Sequence, residues 1–118
     1  MAARRWRVRL GAAAEIDFAN VLKWTAETFG ARQSRIYRDT LVQAFGELAD
    51  GPEAVGSKAR DEIMSGLRTL HVARRGRRGS HFLMYRAAPN NTIEIVRILH
   101  DRMDLRRHVP TAPDESAE

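Results

Sequence analysis

The stretch Thr92–Leu105, TIEIVRILHDRMDL, decides how this chain is read. It opens with Ile93, Ile95, Val96, Ile98 and Leu99, a β-branched apolar run broken only by Arg97. It closes in a polar corner, His100-Asp101-Arg102-Met103-Asp104. The run predicts a buried strand over 92–100, and the corner a place where a rigid element presents charge. Strict alternation puts Ile93, Ile95, Arg97 and Leu99 on one face, and Glu94, Val96, Ile98 and His100 on the other. Both faces carry aliphatics, so the strand is expected to be central and covered at least partly on both sides. An arginine in such a strand must be paired or open to solvent, because an unpaired buried charge is too costly. Glu94, Asp101 and Glu62 are the candidate partners within the chain; a phosphate or a partner's carboxylate is the alternative.

Working backwards, Ala88-Pro89-Asn90-Asn91 has turn composition. Ser80–Arg86 alternates Phe82 and Met84 against His81, Leu83 and Tyr85, as a third strand would. Leu67–Val72 sets Leu70 and Val72 against Thr69 and His71 as a second. Three strands joined by short links predict an antiparallel meander. Residues 50–66 read as loop, with Gly51, Pro52 and Gly56 followed by the mixed charges Lys58 to Glu62. Two helical patterns precede them. Ala14, Phe18, Val21, Thr25 and Phe29 recur at helical spacing, as do Tyr37, Leu41, Ala44, Phe45 and Leu48. Gly30 separates the two, so they should form an antiparallel hairpin. Residues 5–10 alternate Arg5, Arg7 and Arg9 with Trp6, Val8 and Leu10, a half-buried strand whose arginines keep an edge solvated. Its place in the sheet does not follow from the sequence.

The expected order is β-α-α-β-β-β. This is an α+β domain over residues 1–109, with a helix hairpin on one face of a mainly antiparallel four-stranded sheet and the other face partly open. Residues 110–118, PTAPDESAE, read as a disordered acidic tail.

With 118 residues the chain suits one modest core, and with no cysteine it has no disulfides or thiolate metal sites. No run is long enough to span a membrane, and no apolar segment follows the basic N-terminus; a cytoplasmic protein is expected. The net charge is +5, and setting aside Asp114, Glu115 and Glu118 of the tail leaves +8 on the body. All the basic residues except Lys23 and Lys58 are arginine, which favours planar contacts with carboxylate or phosphate. The densest charge is Arg74, Arg75, Arg77 and Arg78, interleaved with Gly76 and Gly79. Such a loop is either solvated or a surface for an acidic partner. His71, His81, His100 and His108 invite an acid–base reading. If His71 and His81 share a sheet face, then with Tyr85 and Arg97 or Arg86 they could sketch a ribonuclease-like site. No Walker, GxGxxG, GxSxG or HExxH motif is present, and neither a metal nor a cofactor is expected.

Four segments together resemble the ParE toxins of the ParE/RelE superfamily of type II toxin–antitoxin systems, over about residues 6–109. They are EIDFANVLKWTAETFG (15–30), Arg60-Asp61-Glu62-Ile63 with Gly66-Leu67-Arg68, HFLMYR (81–86) and IVRILHDRMDLRRHV (95–109). The resemblance implies two helices packed on an antiparallel sheet. It implies a toxin that poisons DNA gyrase and arrests growth. It also implies a cognate ribbon-helix-helix, ParD-like antitoxin, through which alone operator DNA would be met. Arg74, Arg75, Arg77, Arg78, Arg97, His100 and Arg102 are the expected surface for target or antitoxin, with no catalytic residue. The RelE branch is a ribosome-dependent mRNA endonuclease, for which His81, Tyr85 and Arg97 would be the site. That branch relies on clustered basic residues and often a C-terminal tyrosine; here no tyrosine follows Arg86, and the two helices supply one lysine, Lys23. A non-toxic or degenerate family member is the third expectation.

Overall fold

The computed structural model describes residues 5–109; the tail expected to be disordered lies outside them. The elements are β1 (Arg7–Leu10), α1 (Ala12–Phe29), α2 (Ala31–Glu47), β2 (Lys58–Ala59), β3 (Arg68–His71), β4 (His81–Ala88) and β5 (Thr92–His100). Short 3-10 turns follow α2 at Leu48–Asp50 and β5 at Leu105–His108. The α+β class stands, with five strands in the order β1-β5-β4-β3-β2. The extra strand, β2, is a two-residue pairing with β3 inside the segment expected to be loop. β1 lies parallel to β5, and every other pairing is antiparallel.

The alternation in β3 and β4 is followed. Leu70, Val72, Leu83 and Tyr85 join the core under the helices, while Met84 joins a smaller cluster on the opposite face. In β5 it breaks. Tyr85 pairs with Ile95 and Met84 with Arg97, leaving Val96 unmatched in a β-bulge. Ile93, Ile95 and Ile98 therefore all reach the helix side, while Val96 and Leu99 reach the other. The expected assignment of Leu99 and Ile98 is reversed by that one extra residue. The second face is also less open than expected. Ile63 and Met64 from the 60–67 loop, with Leu105, roof Leu67, Met84, Val96 and Leu99.

The helix hairpin packs Leu41, Ala44 and Leu48 into the main core, and Phe18 meets Phe45 with centroids 5.7 Å apart. Gly30, at φ 99° and ψ 161°, joins the helices in a region essentially reserved for glycine, not in the left-handed helical cap. The Ser34 hydroxyl donates to the Leu22 carbonyl at 2.8 Å and fastens α2 to α1. Phe29 is not a core residue: it is largely exposed, its ring edge-on to that of Trp24.

β1 covers β5 only as far as Ile95, after which the chain turns at Gly11 into α1. The uncovered edge of β5 is met by Asp17, one turn into α1. Its Oδ2 accepts from Arg97 Nε at 2.8 Å and from the Ile98 backbone N–H at 2.9 Å, and its Oδ1 accepts from an Arg97 terminal nitrogen at 3.1 Å. The Asp17 side chain is 14% exposed and that of Arg97 26%. Arg97 thus pairs with none of the three expected carboxylates. Glu94 lies against Arg86 and Arg9, Asp101 against His71, and Glu62 near Arg60.

Replacing Asp17 orphans both a guanidinium and a backbone donor. Asp17→Ala is expected to cost about 2–4 kcal/mol. Arg97→Ala, which leaves the carboxylate still holding the Ile98 N–H, is expected to cost about half that. Urea denaturation measures both; equal costs below about 0.5 kcal/mol would mark the contact as an ordinary surface pair.

Candidate functional site

The C-terminal end of β5, the start of β4 and the 73–80 loop meet the exposed side of the helix hairpin. Between them runs a groove of about 980 Å³. Trp24, Phe29 and Ile36 form its apolar wall, and the Trp24 and Phe29 rings meet edge to face at 5.7 Å. These three side chains are 58%, 63% and 44% exposed. Arg77, Arg78 and Gly79 form the opposite wall, and Tyr37, His81 and His100 also line the groove. A smaller hollow of about 390 Å³ adjoins it, bounded by Asp17, Asn20, Trp24, Arg97, His100 and Met103 among others.

The arginine loop is built rather than slack. Arg75 and Gly76 take positive φ values of 54° and 77°, and the Arg77 N–H closes the turn on the Arg74 carbonyl at 3.0 Å. Gly79 is required by close approach: a Cβ there would lie 2.4 Å from a Val72 methyl and 3.3 Å from the Tyr37 oxygen. Arg74 turns inward, donating to Glu47 at 2.8 Å and to the Val55 carbonyl, with both charged side chains only 16% exposed. Arg75 Nε stands 3.5 Å from the other Glu47 oxygen, a charge contact longer than a good hydrogen bond. Arg77 donates to Gln43 at 2.7 Å and lies within 3.4 Å of the Thr40 hydroxyl. Arg78 and Arg102 have no side-chain partner among the described residues.

Histidines mark both ends of this loop. His71 Nδ1 accepts from the Ala73 N–H at 3.0 Å, so the proton sits on Nε2, which donates to Asp101 at 2.9 Å. That hydrogen bond is the main reason the Asp101 carboxyl is held below its usual range. At the other end, the Tyr37 oxygen accepts from the Ser80 N–H at 3.0 Å and lies 2.6 Å from His81 Nδ1. Burial, with His100 nearby, lowers the His81 pKa from 6.5 to about 4. A neutral His81 accepts the Tyr37 hydroxyl proton at Nδ1 and carries its own on Nε2. Burial also raises the Tyr37 pKa, so the phenol stays protonated at neutral pH.

His71 and His81 do not share a face. His71 is matched with Phe82 across β3 and β4, its ring edge-on to Phe82 at 4.9 Å, while His81 is matched with His100. Tyr85 is fully buried and donates its hydroxyl to the Pro52 carbonyl. Of His81, Tyr85 and Arg97, only His81 lines the main groove; Arg97 borders the adjoining hollow, held by Asp17. Sequence reasoning missed Tyr37 and Trp24 as groove residues, and Asp101 and Asp17 as the carboxylates behind it. Asp17 had left a trace: it sits three residues after Ala14 and four before Val21, on the apolar stripe of α1. Among the described residues, no group of three His, Asp or Glu side chains could hold a metal, and no helix is long and apolar enough to cross a membrane.

The His81 environment sets a pH dependence. Between about pH 6.5 and about pH 4 the unfolded chain binds a proton that the folded chain refuses, so stability falls as pH falls through that window. The depressed Asp101 carboxyl acts lower, losing its contribution only below its ordinary value of 3.8. Urea midpoints of the wild type should therefore drop from pH 7 to pH 4.5, and His81→Gln should drop less steeply. Parallel slopes would remove His81 as the cause.

Comparison with known proteins places the fold. The family model described as "ParE toxin of type II toxin-antitoxin system, parDE" matches residues 8–105. Toxin ParE1 of Mycobacterium tuberculosis, in strains CDC 1551 / Oshkosh and ATCC 25618 / H37Rv, is 34% identical over 103 residues, covering 87% of this chain and 97% of the relative. Among solved structures, the chromosomal ParDE TA system from P. aeruginosa superposes with a TM-score of 0.65 at 17% identity, covering 83% of this chain and 98% of that one, which is a likeness of fold. With a family match spanning both edges of the sheet and a relative aligned over nearly its whole length, the chain belongs to the ParE toxin family of type II toxin–antitoxin systems.

Proposed function

We propose that this protein arrests growth by binding DNA gyrase, with no bond-breaking chemistry of its own. We further propose that a cognate ribbon-helix-helix, ParD-like antitoxin neutralises it by laying an acidic amphipathic segment in the groove. The observation that carries the reading is the pairing of walls: Trp24, Phe29 and Ile36 on one side, Arg77 and Arg78 on the other. An antitoxin helix or strand would bury its apolar side on the first and set its carboxylates against the second. Arg75, Arg78, His100 and Arg102 supply exposed contacts, while Arg74 and Arg97 act from within by fixing the loop and the strand end. Family membership supports the toxin role, and the poor convergence of His81, Tyr85 and Arg97 supports binding over catalysis.

The Tyr37–His81 contact favours the second reading, an mRNA endonuclease, since a phenol hydrogen-bonded to an imidazole can pass a proton. One set of measurements separates the readings. Induced expression should stop growth, co-expression of a cognate antitoxin should restore it, and purified protein should inhibit gyrase supercoiling. Trp24→Ala with Arg78→Glu should weaken antitoxin capture by roughly 30-fold or more, as loss of an aromatic anchor and a charge contact does. Ribosome-bound mRNA cleavage that disappears in His81→Gln, with supercoiling untouched, would replace the gyrase reading by the nuclease. Expression without arrest would make this a non-toxic member.

A further inference from the structure

The groove leaves one concentration of charge unused. β1 is an outer strand, and its register with β5 sets Arg7 beside Thr92 and Arg9 beside Glu94. Val8 and Leu10 pack towards the helices, so Arg7 and Arg9 stand on the opposite face of the sheet. Arg86 of β4 joins them there, matched with Glu94 from the other side. Glu94 serves as a clamp: its Oε1 accepts from two nitrogens of Arg86 at 3.1 and 3.2 Å, and its Oε2 lies 3.8 Å from Arg9. Arg5 precedes the strand in the same alternation and is exposed, as is Arg7, and neither has a side-chain partner among the described residues. Of these four guanidiniums, only those of Arg86 and Arg9 share the Glu94 carboxylate. The apolar roof of Ile63, Met64 and Leu105 packs on Leu67, Met84, Val96 and Leu99 instead.

We propose that this face, through Arg5, Arg7 and Arg9, with Arg86 neutralising Glu94 beside them, binds the phosphate backbone of double-stranded DNA. Two-residue steps of about 7 Å spread the guanidiniums along a line, which suits a run of phosphates better than one compact anion. Among the described residues, the patch holds no exposed large apolar side chain that could anchor a protein, whereas protein–DNA interfaces are polar and strongly positive. Those residues also offer no aromatic platform on which single-stranded bases would stack, since the exposed aromatics Trp24 and Phe29 lie in the groove on the helix side. The groove sits at the His81 and His100 ends of β4 and β5, and the patch at the Thr92 end on the other face. A partner in the groove therefore leaves the patch open, and DNA is met directly as well as through an antitoxin. The competing explanation is that the arginines merely keep an edge strand from pairing.

Fluorescence anisotropy of a labelled 20-base-pair duplex of arbitrary sequence, titrated with the purified full chain at several salt concentrations, tests the proposal. Binding should weaken steeply with salt. The triple variant Arg5→Gln, Arg7→Gln, Arg9→Gln should lower the slope of log K against log salt by about 2–3, close to 0.9 per lost phosphate contact. Arg38→Gln, which removes an exposed arginine of α2, should leave the slope unchanged. If the triple variant self-associates on sizing, Arg7→Gln alone provides the reading, with a slope change of about 0.9. Overturning results are a wild type that ignores the duplex at low salt, a slope the same in the arginine variants, or tighter binding to a single strand of equal length. Self-association of the triple variant with an unchanged Arg7→Gln slope would assign these arginines to edge protection alone.

Discussion

The Asp17 carboxylate holds together what the strand lengths leave apart. β1 has four residues and β5 nine, so a parallel pairing between them must run out halfway. Beyond Ile95 the donors of β5 need another acceptor, because an unmet buried N–H costs on the order of 1–3 kcal/mol. α1 starts at the end of β1 and crosses that gap, and Asp17 meets the Ile98 N–H as a further strand would have done. The bulge at Val96 is part of the same solution: it lets Ile98 reach the helix-side core while the Arg97 guanidinium closes on Asp17. One carboxylate thus fixes the height of α1 against the sheet. With it come the position of Trp24 two turns later and the shape of the hollow between helix and strand.

Charge on the groove side is handled by the same economy. The loop of four arginines would repel itself if it were only solvated. Glu47, Gln43 and Thr40 on α2 take up Arg74 and Arg77, and Gly79 lets the loop close against Val72 and Tyr37. What remains on the outside, Arg75 and Arg78, is presented by a backbone turn with two consecutive positive φ values. The internal pairs set the geometry, and the exposed guanidiniums keep their charge.

Much of this was legible in the chain, for physical reasons that also mark where it stopped. In β3 and β4, period-two alternation is a local property of an unbroken strand, and Leu70, Val72, Leu83, Met84 and Tyr85 lie where it puts them. β5 follows the same rule until Val96, because a bulge is set by the neighbouring strand and leaves no mark in apolar residues that serve either face. The parallel place of β1 depends on how far the helix hairpin carries the chain, which no local pattern encodes. Phe29 and Tyr37 both lie on helical stripes that periodicity assigns to a core. One stands exposed on the groove wall and the other ends in a hydroxyl that needs a partner, and only the tertiary arrangement separates these fates. The arginine concentrations were visible as composition, but their division into clamped and exposed members was not.

That division sets the electrostatics of the proposed groove site. His81 lies among Tyr37, His100 and Asp101 and stays neutral over the physiological range, because burial disfavours its charged form more than Asp101 supports it. The fixed positive charge of the loop wall therefore comes from guanidiniums, which do not titrate near neutrality. An acidic ligand held by such a wall would respond to ionic strength far more than to pH around 7, since exposed charge contacts are screened within about 8 Å at physiological salt. The apolar wall responds to neither. A segment that uses both walls keeps part of its affinity when salt removes the rest, whereas a ligand held at the arginine-lined sheet face has no apolar contact to fall back on. The two surfaces differ in what can release them, and that difference follows from where Trp24, Phe29 and Ile36 project and where no such side chain does.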